Sequence, residues 1–246
     1  MATFDTFAAN YQELVSENIR ITGESPDYFA AYKARYIARR AAPPPGGKIL
    51  DYGCGVGLLA LHLKEVLVGR QVDGFDVSKE SIERVNQLLQ REGTFTTNLD
   101  TLDCAYDVIV LSNVLHHVKP ADRELLICKA GSRLAIGGKL VIFEHNPINP
   151  LTLWAVSQCP FDEDATLLPN RETRGYFGQS ELVLLWRDFI VFFPRWLKWL
   201  RSFEPLLSWC PLGAQYVVVA GKRTLARADR PDPCNLMVTL FLGLLP

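Results

Sequence analysis

The chain has 246 residues, 48% hydrophobic and 22% charged, a composition that excludes disordered, collagen-like and coiled-coil proteins. Its 26 basic and 27 acidic side chains leave a formal charge of -1, so no net field draws it to nucleic acid. Six cysteines without a CxxC pair suit neither a zinc knuckle nor a small disulfide scaffold, and point to a reducing, cytoplasmic setting. Asp5, Glu13 and Glu17 interrupt the start, so no signal peptide is expected. The longest uncharged apolar run, Leu236 to Leu245, is only half of the ~20 residues a transmembrane helix needs.

In chain order, residues 4–40 read as helical. Phe4, Phe7, Tyr11, Leu14 and Val15 make one stripe, and Phe29, Tyr32, Lys33 and Tyr36 resume it after a Gly23–Pro26 break. The run AAPPPGG then stops any helix and divides a helical cap, 1–45, from an α/β unit, 46–225. KILDYG predicts a first strand, VGLLALHLKEVL a helix, QVDGFDVS a second strand and KESIERVNQLLQREG a helix ending at Gly93. A weak third strand falls near Phe95, and YDVIVLSN is a fourth whose Val/Ile run implies burial on both faces. ADRELLICKAGSRLA predicts a helix stopping at Gly137–Gly138, and KLVIFEHN a fifth strand. Beyond Asn149 the pattern loosens into a loop with short helical pieces. GQSELVLLWRD then reads as a helix, FIVFFP as a strand, RWLKWLRSFEPLLSW as an amphipathic helix and AQYVVVAGK as the last strand, leaving 226–246 as a tail. Strands alternating with crossover helices imply a mostly parallel sheet.

The strongest constellation is DYGCGVG, Asp51 to Gly57. Its glycines bare the backbone where a strand turns into a helix N-terminus, and Asp76 at the end of the second strand can accept both hydroxyls of a ribose. The pair predicts a ligand that contains a nucleoside. A dinucleotide site would prefer GxGxxG, but position 58 is leucine. The Asp51 carboxylate would also sit badly beside a pyrophosphate and well beside an ammonium or sulfonium group.

At these residues the chain resembles the class I S-adenosylmethionine-dependent methyltransferases. LDYGCGVG, GFDVS, YDVIVLSNVLHHV and GGKLVIFEHNP carry the resemblance. It implies a Rossmann-like, seven-stranded, mostly parallel sheet with helices on both faces and an antiparallel last strand between the fifth and sixth. It implies S-adenosylmethionine as cofactor, with Asp51, Gly53, Cys54 and Gly55 at the methionyl part and Asp76 and Val77 at the ribose and adenine. Asn98 or Asp100 is offered for the adenine amino group, and Ser112 and Asn113 for the reacting methyl. Tyr11 is similar to the family's closing aromatic, or else is a core residue of the Phe4–Phe7 stripe.

His116 and His117 follow the fourth strand and His145 the fifth, at the sheet edge where α/β enzymes bind ligands, so these three are the candidate acceptor-side catalytic residues. His62 reads as structural. Glu144 is expected to point away from His145. Adjacent HH followed by EH has no established metal spacing, so no metal is expected. Segments at about 146–180 and 194–212 would wall the acceptor, with Asn146, Arg171 and Arg174 as candidate contacts. Trp196, Trp199, Leu200 and Phe203 would make an apolar face, read first as core packing and otherwise as a membrane-surface helix.

The expected reaction is methyl transfer to a small molecule, on oxygen before nitrogen or carbon. No Asn/Asp-Pro-Pro-aromatic motif follows the fourth strand, which disfavours the nucleic-acid and protein amino-methylating branches. Similar chains act in glycan or secondary-metabolite pathways, and a lipid-linked acceptor with peripheral membrane attachment is the further option. A nicotinamide oxidoreductase and a non-catalytic cofactor-binding scaffold are the competing classes. The choice between monomer and homodimer stays open.

Overall fold

The computed structural model describes residues 22–89, 92–159, 162–178 and 180–223. Tyr11, the rest of the expected helical stretch before residue 22, and the tail from 226 lie outside the described residues. The strands are β1 Lys48–Tyr52, β2 Gln71–Phe75, β3 Phe95–Thr96, β4 Tyr106–Ser112, β5 Leu134–His145, β6 Leu182–Ile190 and β7 Gln215–Lys222. They form one sheet in the order β3-β2-β1-β4-β5-β7-β6. Strands β1 to β5 pair in parallel, and β7 runs antiparallel between β5 and β6.

The parallel pairs require crossovers, which α2 Leu58–Val66, α3 Lys79–Leu88 and α4 Pro120–Ser132 provide. Ahead of them α1, Pro26–Arg40, begins where the Ser25 hydroxyl accepts the Tyr28 N–H at 3.3 Å, with Pro26 in its first turn and Arg39 and Arg40 in its last. Both faces of the sheet are covered. Ile49, Val108, Val110, Val141, Val217 and Val219 face one core with Ile37 of α1 and Leu63 of α2. Their neighbours Leu50, Ile109, Leu111, Leu140, Ile142 and Val218 face the other with Ile127 of α4. Double burial is why these strands read as continuous apolar runs.

Four expected elements differ. GQSELVLLWRD is not a helix but supplies most of β6, an edge strand in which Val183, Leu184 and Leu185 stay partly exposed. A short apolar run at a sheet edge has no periodicity to tell it from helix. Of FIVFFP only Phe189 and Ile190 belong to the strand, because Val191 takes a φ of 60° and turns the chain out. The helix of α4 stops at Ser132, and β5 begins already at Leu134, pairing with Tyr106 before a register shift. Finally, Arg195–Leu207 forms 3-10 turns broken at Leu197 and carrying Pro205, with Glu204 its buried residue. Core packing is overturned here: Trp196, Trp199 and Trp209 are 71%, 69% and 72% exposed.

Candidate active site

The carboxyl ends of β1 and β4 lie side by side, with Asp51 paired to Val110 and Tyr52 to Leu111. Helix α2 leaves β1 from Gly57, whose φ is 86°, and no side chain caps it. Its first N–H groups therefore remain available to a ligand. The turn is tied down by the Gly53 and Cys54 N–H groups, which donate to Phe75 O at 2.7 and 3.0 Å. Only Gly55 faces open space on its Cβ side, whereas a Cβ at Gly53 or Gly57 would strike Val114 or Val85. The bare backbone is thus at Gly55, and the other two glycines serve packing.

Asp76 accepts the Gly55 N–H at 2.8 Å and the Ser78 N–H at 2.9 Å, and so positions the loop it faces. Asp51 is buried, and neither of its carboxylate oxygens has a hydrogen-bond partner among the described residues. Burial, reinforced by the charge of Asp76 and opposed by that of Lys33, pushes its carboxyl up to about 7. An orphaned buried carboxylate beside a glycine turn fits an ammonium group, as the methionyl end of S-adenosylmethionine provides. Burial holds the Cys54 thiol well above its ordinary value, so it is no nucleophile.

Asn113 takes a φ of 59° and donates its N–H to Phe143 O at 2.9 Å. Ser112 accepts a hydrogen bond from Lys33 Nζ at 2.9 Å. Lys33 reaches in from α1 and is itself buried; burial lowers it to about 8, offset in part by Glu144 and Asp51. It is a site residue that the sequence reading left in the α1 stripe, although a charge within an apolar stripe was the available signal.

Beyond the tips of β4 and β5 the three histidines converge. His116 Nδ1 lies 2.6 Å from Glu144, which also accepts the Leu115 N–H at 2.7 Å. The Nε2 atoms of His116 and His117 lie 3.4 and 3.5 Å from Asp162, and the His145 ring centroid is 5.1 Å from that of His116. Glu144 therefore joins the cluster instead of pointing away from it. Burial opposes charge on His116, but Glu144 and Asp162 outweigh it and raise the imidazole above its ordinary range. Burial and then the His116 charge push His117 and His145 down to about 4. His62 pairs with Asp27 and Glu65, both at 2.8 Å, away from this site.

One cavity of about 1060 Å³ joins Asp51, Gly55, Asp76 and Val77 at one end to the three histidines and Asp162 at the other. Phe29, Leu151, Val156, Phe192, Phe193 and Trp196 add apolar walls. Not every expected residue meets it. Asn98 spends its side-chain oxygen on the Asp100 N–H at 3.0 Å, and Leu99 lines the cavity in its place. Asn146 is buried as a brace, donating to Pro211 O and Gly213 O at 2.9 and 2.8 Å. Arg171 and Arg174 sit on α6, Asn170–Gly175, outside the lining. Asn149, ahead of α5 Pro150–Ser157, and Gln215 line the wall in their stead.

The sheet order, the antiparallel β7 and this paired-carboxylate turn define a class I S-adenosylmethionine-dependent methyltransferase. The chain matches the family model described as a methyltransferase domain over residues 27–189, and it belongs to that family. S-adenosylmethionine is its cofactor, and the nicotinamide alternative falls away. Among curated relatives, the ubiquinone biosynthesis O-methyltransferase of Mesorhizobium japonicum is 28% identical over 75% of this chain and 76% of its own length. The ribosomal protein L11 methyltransferase of Cupriavidus taiwanensis is 31% identical, but the match spans 45% of this chain and only 40% of that protein. Among solved structures, magnesium protoporphyrin IX methyltransferase from Synechocystis with bound SAH shares the fold at a TM-score of 0.59 and 17% identity. That match covers 85% of this chain and 87% of that one.

Proposed function

We propose that this chain methylates an oxygen atom of a small, largely apolar acceptor. The carrying observation is that His116, His117, His145 and Asp162 cluster at one end of a cavity whose other end holds Asp51 and Asp76, with Phe29, Leu151, Val156, Phe192, Phe193 and Trp196 as its apolar walls. An acceptor hydroxyl placed there needs both a proton acceptor and exclusion of water. When bound, S-adenosylmethionine supplies an electrophilic methyl on a sulfonium. Asp51 would bind its ammonium group and Asp76 its ribose hydroxyls, while Ser112 and Asn113 face the transfer region. His116, charged between Glu144 and Asp162, is not free to take a proton. The neutral ring of His145 faces the cavity and would accept the acceptor's hydroxyl proton. The long match to an O-methyltransferase supports oxygen; the L11 match, under half of this chain, keeps a protein acceptor as the contrary outcome.

Titration with S-adenosylhomocysteine followed by a labelled-donor screen tests the reading. Transfer to phenolic or other hydroxyl acceptors, lost in His145→Ala with cofactor affinity kept, is the expected result. Transfer only to amines or protein would overturn it.

A second reading of the acceptor has its own observation. Ile148, Leu151 and Trp154 are exposed beside the cavity mouth, and Asn149 Nδ2 ties them to Leu212 O at 2.6 Å at the end of the Trp196–Leu212 face. Exposed tryptophans next to Arg195 and Lys198 suit an anionic lipid surface, and so a lipid-linked acceptor met peripherally at a membrane. An apolar secondary metabolite suits the Phe29, Leu151, Val156, Phe192 and Phe193 walls better than a glycan does. No helix among the described residues is long and apolar enough to cross a membrane.

A further inference from the structure

We propose that His116, His117 and Asp162 hold a divalent transition-metal ion at the acceptor end of the cavity. One donor atom from each residue lies within 4.8 Å of the others. The His116 and His117 Nε2 atoms stand 3.4 and 3.5 Å from the same Asp162 oxygen. Charged hydrogen bonds are shorter, about 2.7–2.9 Å. Instead, these separations match the edges of a tetrahedron whose centre is about 2.0–2.1 Å from each ligand, edges of roughly 3.3–3.4 Å.

The second nitrogen of His116 supports the same assignment. Its Nδ1 lies 2.6 Å from Glu144, which is itself fixed by the Leu115 N–H. An outer carboxylate of this kind sets the tautomer, directing a bare Nε2 at the ion, and is the usual partner of a metal-bound histidine. The ion takes the place of the proton that His116 would otherwise hold between two carboxylates, and Glu144 and Asp162 together balance its two positive charges. Two imidazoles and one carboxylate select a zinc-like or cobalt-like ion over magnesium or calcium, which demand oxygen ligands. All three ligands line the cavity, so the remaining coordination position is open to an acceptor oxygen, with His145 left as the base. That role rests on the oxygen-acceptor reading above; binding of the ion does not. Sequence spacing concealed the site because Asp162 comes from a loop remote from the adjacent histidines.

The test is titration of the metal-stripped whole chain with Co²⁺, read by visible ligand-field absorption, with S-adenosylhomocysteine affinity measured on the same samples. One equivalent should bind saturably. His117→Ala and Asp162→Asn should each weaken it at least about tenfold, and Glu144→Gln by about 10–100-fold. His117 is only partly buried, so its truncation spares the core, and circular dichroism confirms the fold of each variant. Absence of saturable uptake overturns the site. So does uptake unchanged in both ligand variants, in which case sulfur-to-cobalt charge-transfer absorption would place the ion on cysteines. If S-adenosylhomocysteine binds while Co²⁺ does not, only the metal site fails. If Co²⁺ binds and S-adenosylhomocysteine does not, the methyl-transfer reading fails instead.

Discussion

Asp51 carries a cost that its ligand removes. Its carboxyl titrates near 7 in the folded chain against 3.8 ordinarily, so between those values the fold holds a proton that the unfolded chain has released. On this group's account, stability declines as pH rises from about 4 to about 7. Cofactor affinity runs the other way, because the ammonium needs the carboxylate: it should be full above pH 7 and fall about tenfold per unit below it. Calorimetry across that range checks this, and Asp51→Asn should be weaker and nearly pH-independent. The Lys33 charge lowers the Asp51 carboxyl, so Lys33→Met should move the affinity midpoint to higher pH. Asp76→Ala should weaken cofactor binding by roughly 1.5–3 kcal/mol, and an unchanged affinity would remove Asp76 from the ribose. Asp51, Gly55 and Asp76 were legible because a turn and a strand end place them together within a short stretch of chain. Lys33, Glu144 and Asp162 meet the site from α1, β5 and a loop, and no local spacing encodes such a meeting.

At the scale of elements, doubly buried strands were readable, since β4 and the Leu140–Phe143 run of β5 are apolar on both faces and rich in Val and Ile. The edge was not. Leu182 to Leu185 satisfies helix propensity as well as strand propensity, and the pairing of Leu182 to Leu184 with Ala220 to Lys222 of β7 decides the matter. The 195–207 segment failed for another reason: Trp196 and Trp199 stand three apart, the repeat of a 3-10 turn, and prolines at 194 and 205 bar a longer α-helix. The turn into β4 offers a simple test. Ala105 is exposed and holds a φ of 69°, where a Cβ is unfavourable. Ala105→Gly should raise the denaturant midpoint by the equivalent of about 0.5–1 kcal/mol, the relieved strain exceeding glycine's entropy cost.

For the whole molecule, near-neutral charge leaves surface chemistry to local patches. The exposed aromatic face of Trp196, Trp199, Phe203 and Trp209 departs from an ordinary surface. Vesicles containing an anionic lipid should take up the chain, and Trp199→Ser with Trp209→Ser should reduce that uptake without changing S-adenosylhomocysteine affinity. Equal uptake by the double variant, or none by the parent chain, would leave the face to a second copy or another protein.

The neighbouring ends of β1 and β4 have a broader consequence. Helix α2 departs to one side of the sheet and α4 to the other, so the chain's own path opens the cleft and no side chain is spent on keeping it open. Two segments that wall it, one after β5 with Leu151, Val156 and Asp162 and one after β6 with Phe192, Phe193 and Trp196, take no part in the ladder between parallel strands. The donor half and the acceptor half can therefore change independently. Exchanging those two segments between related chains should trade one acceptor for another while the donor pocket stays as it is.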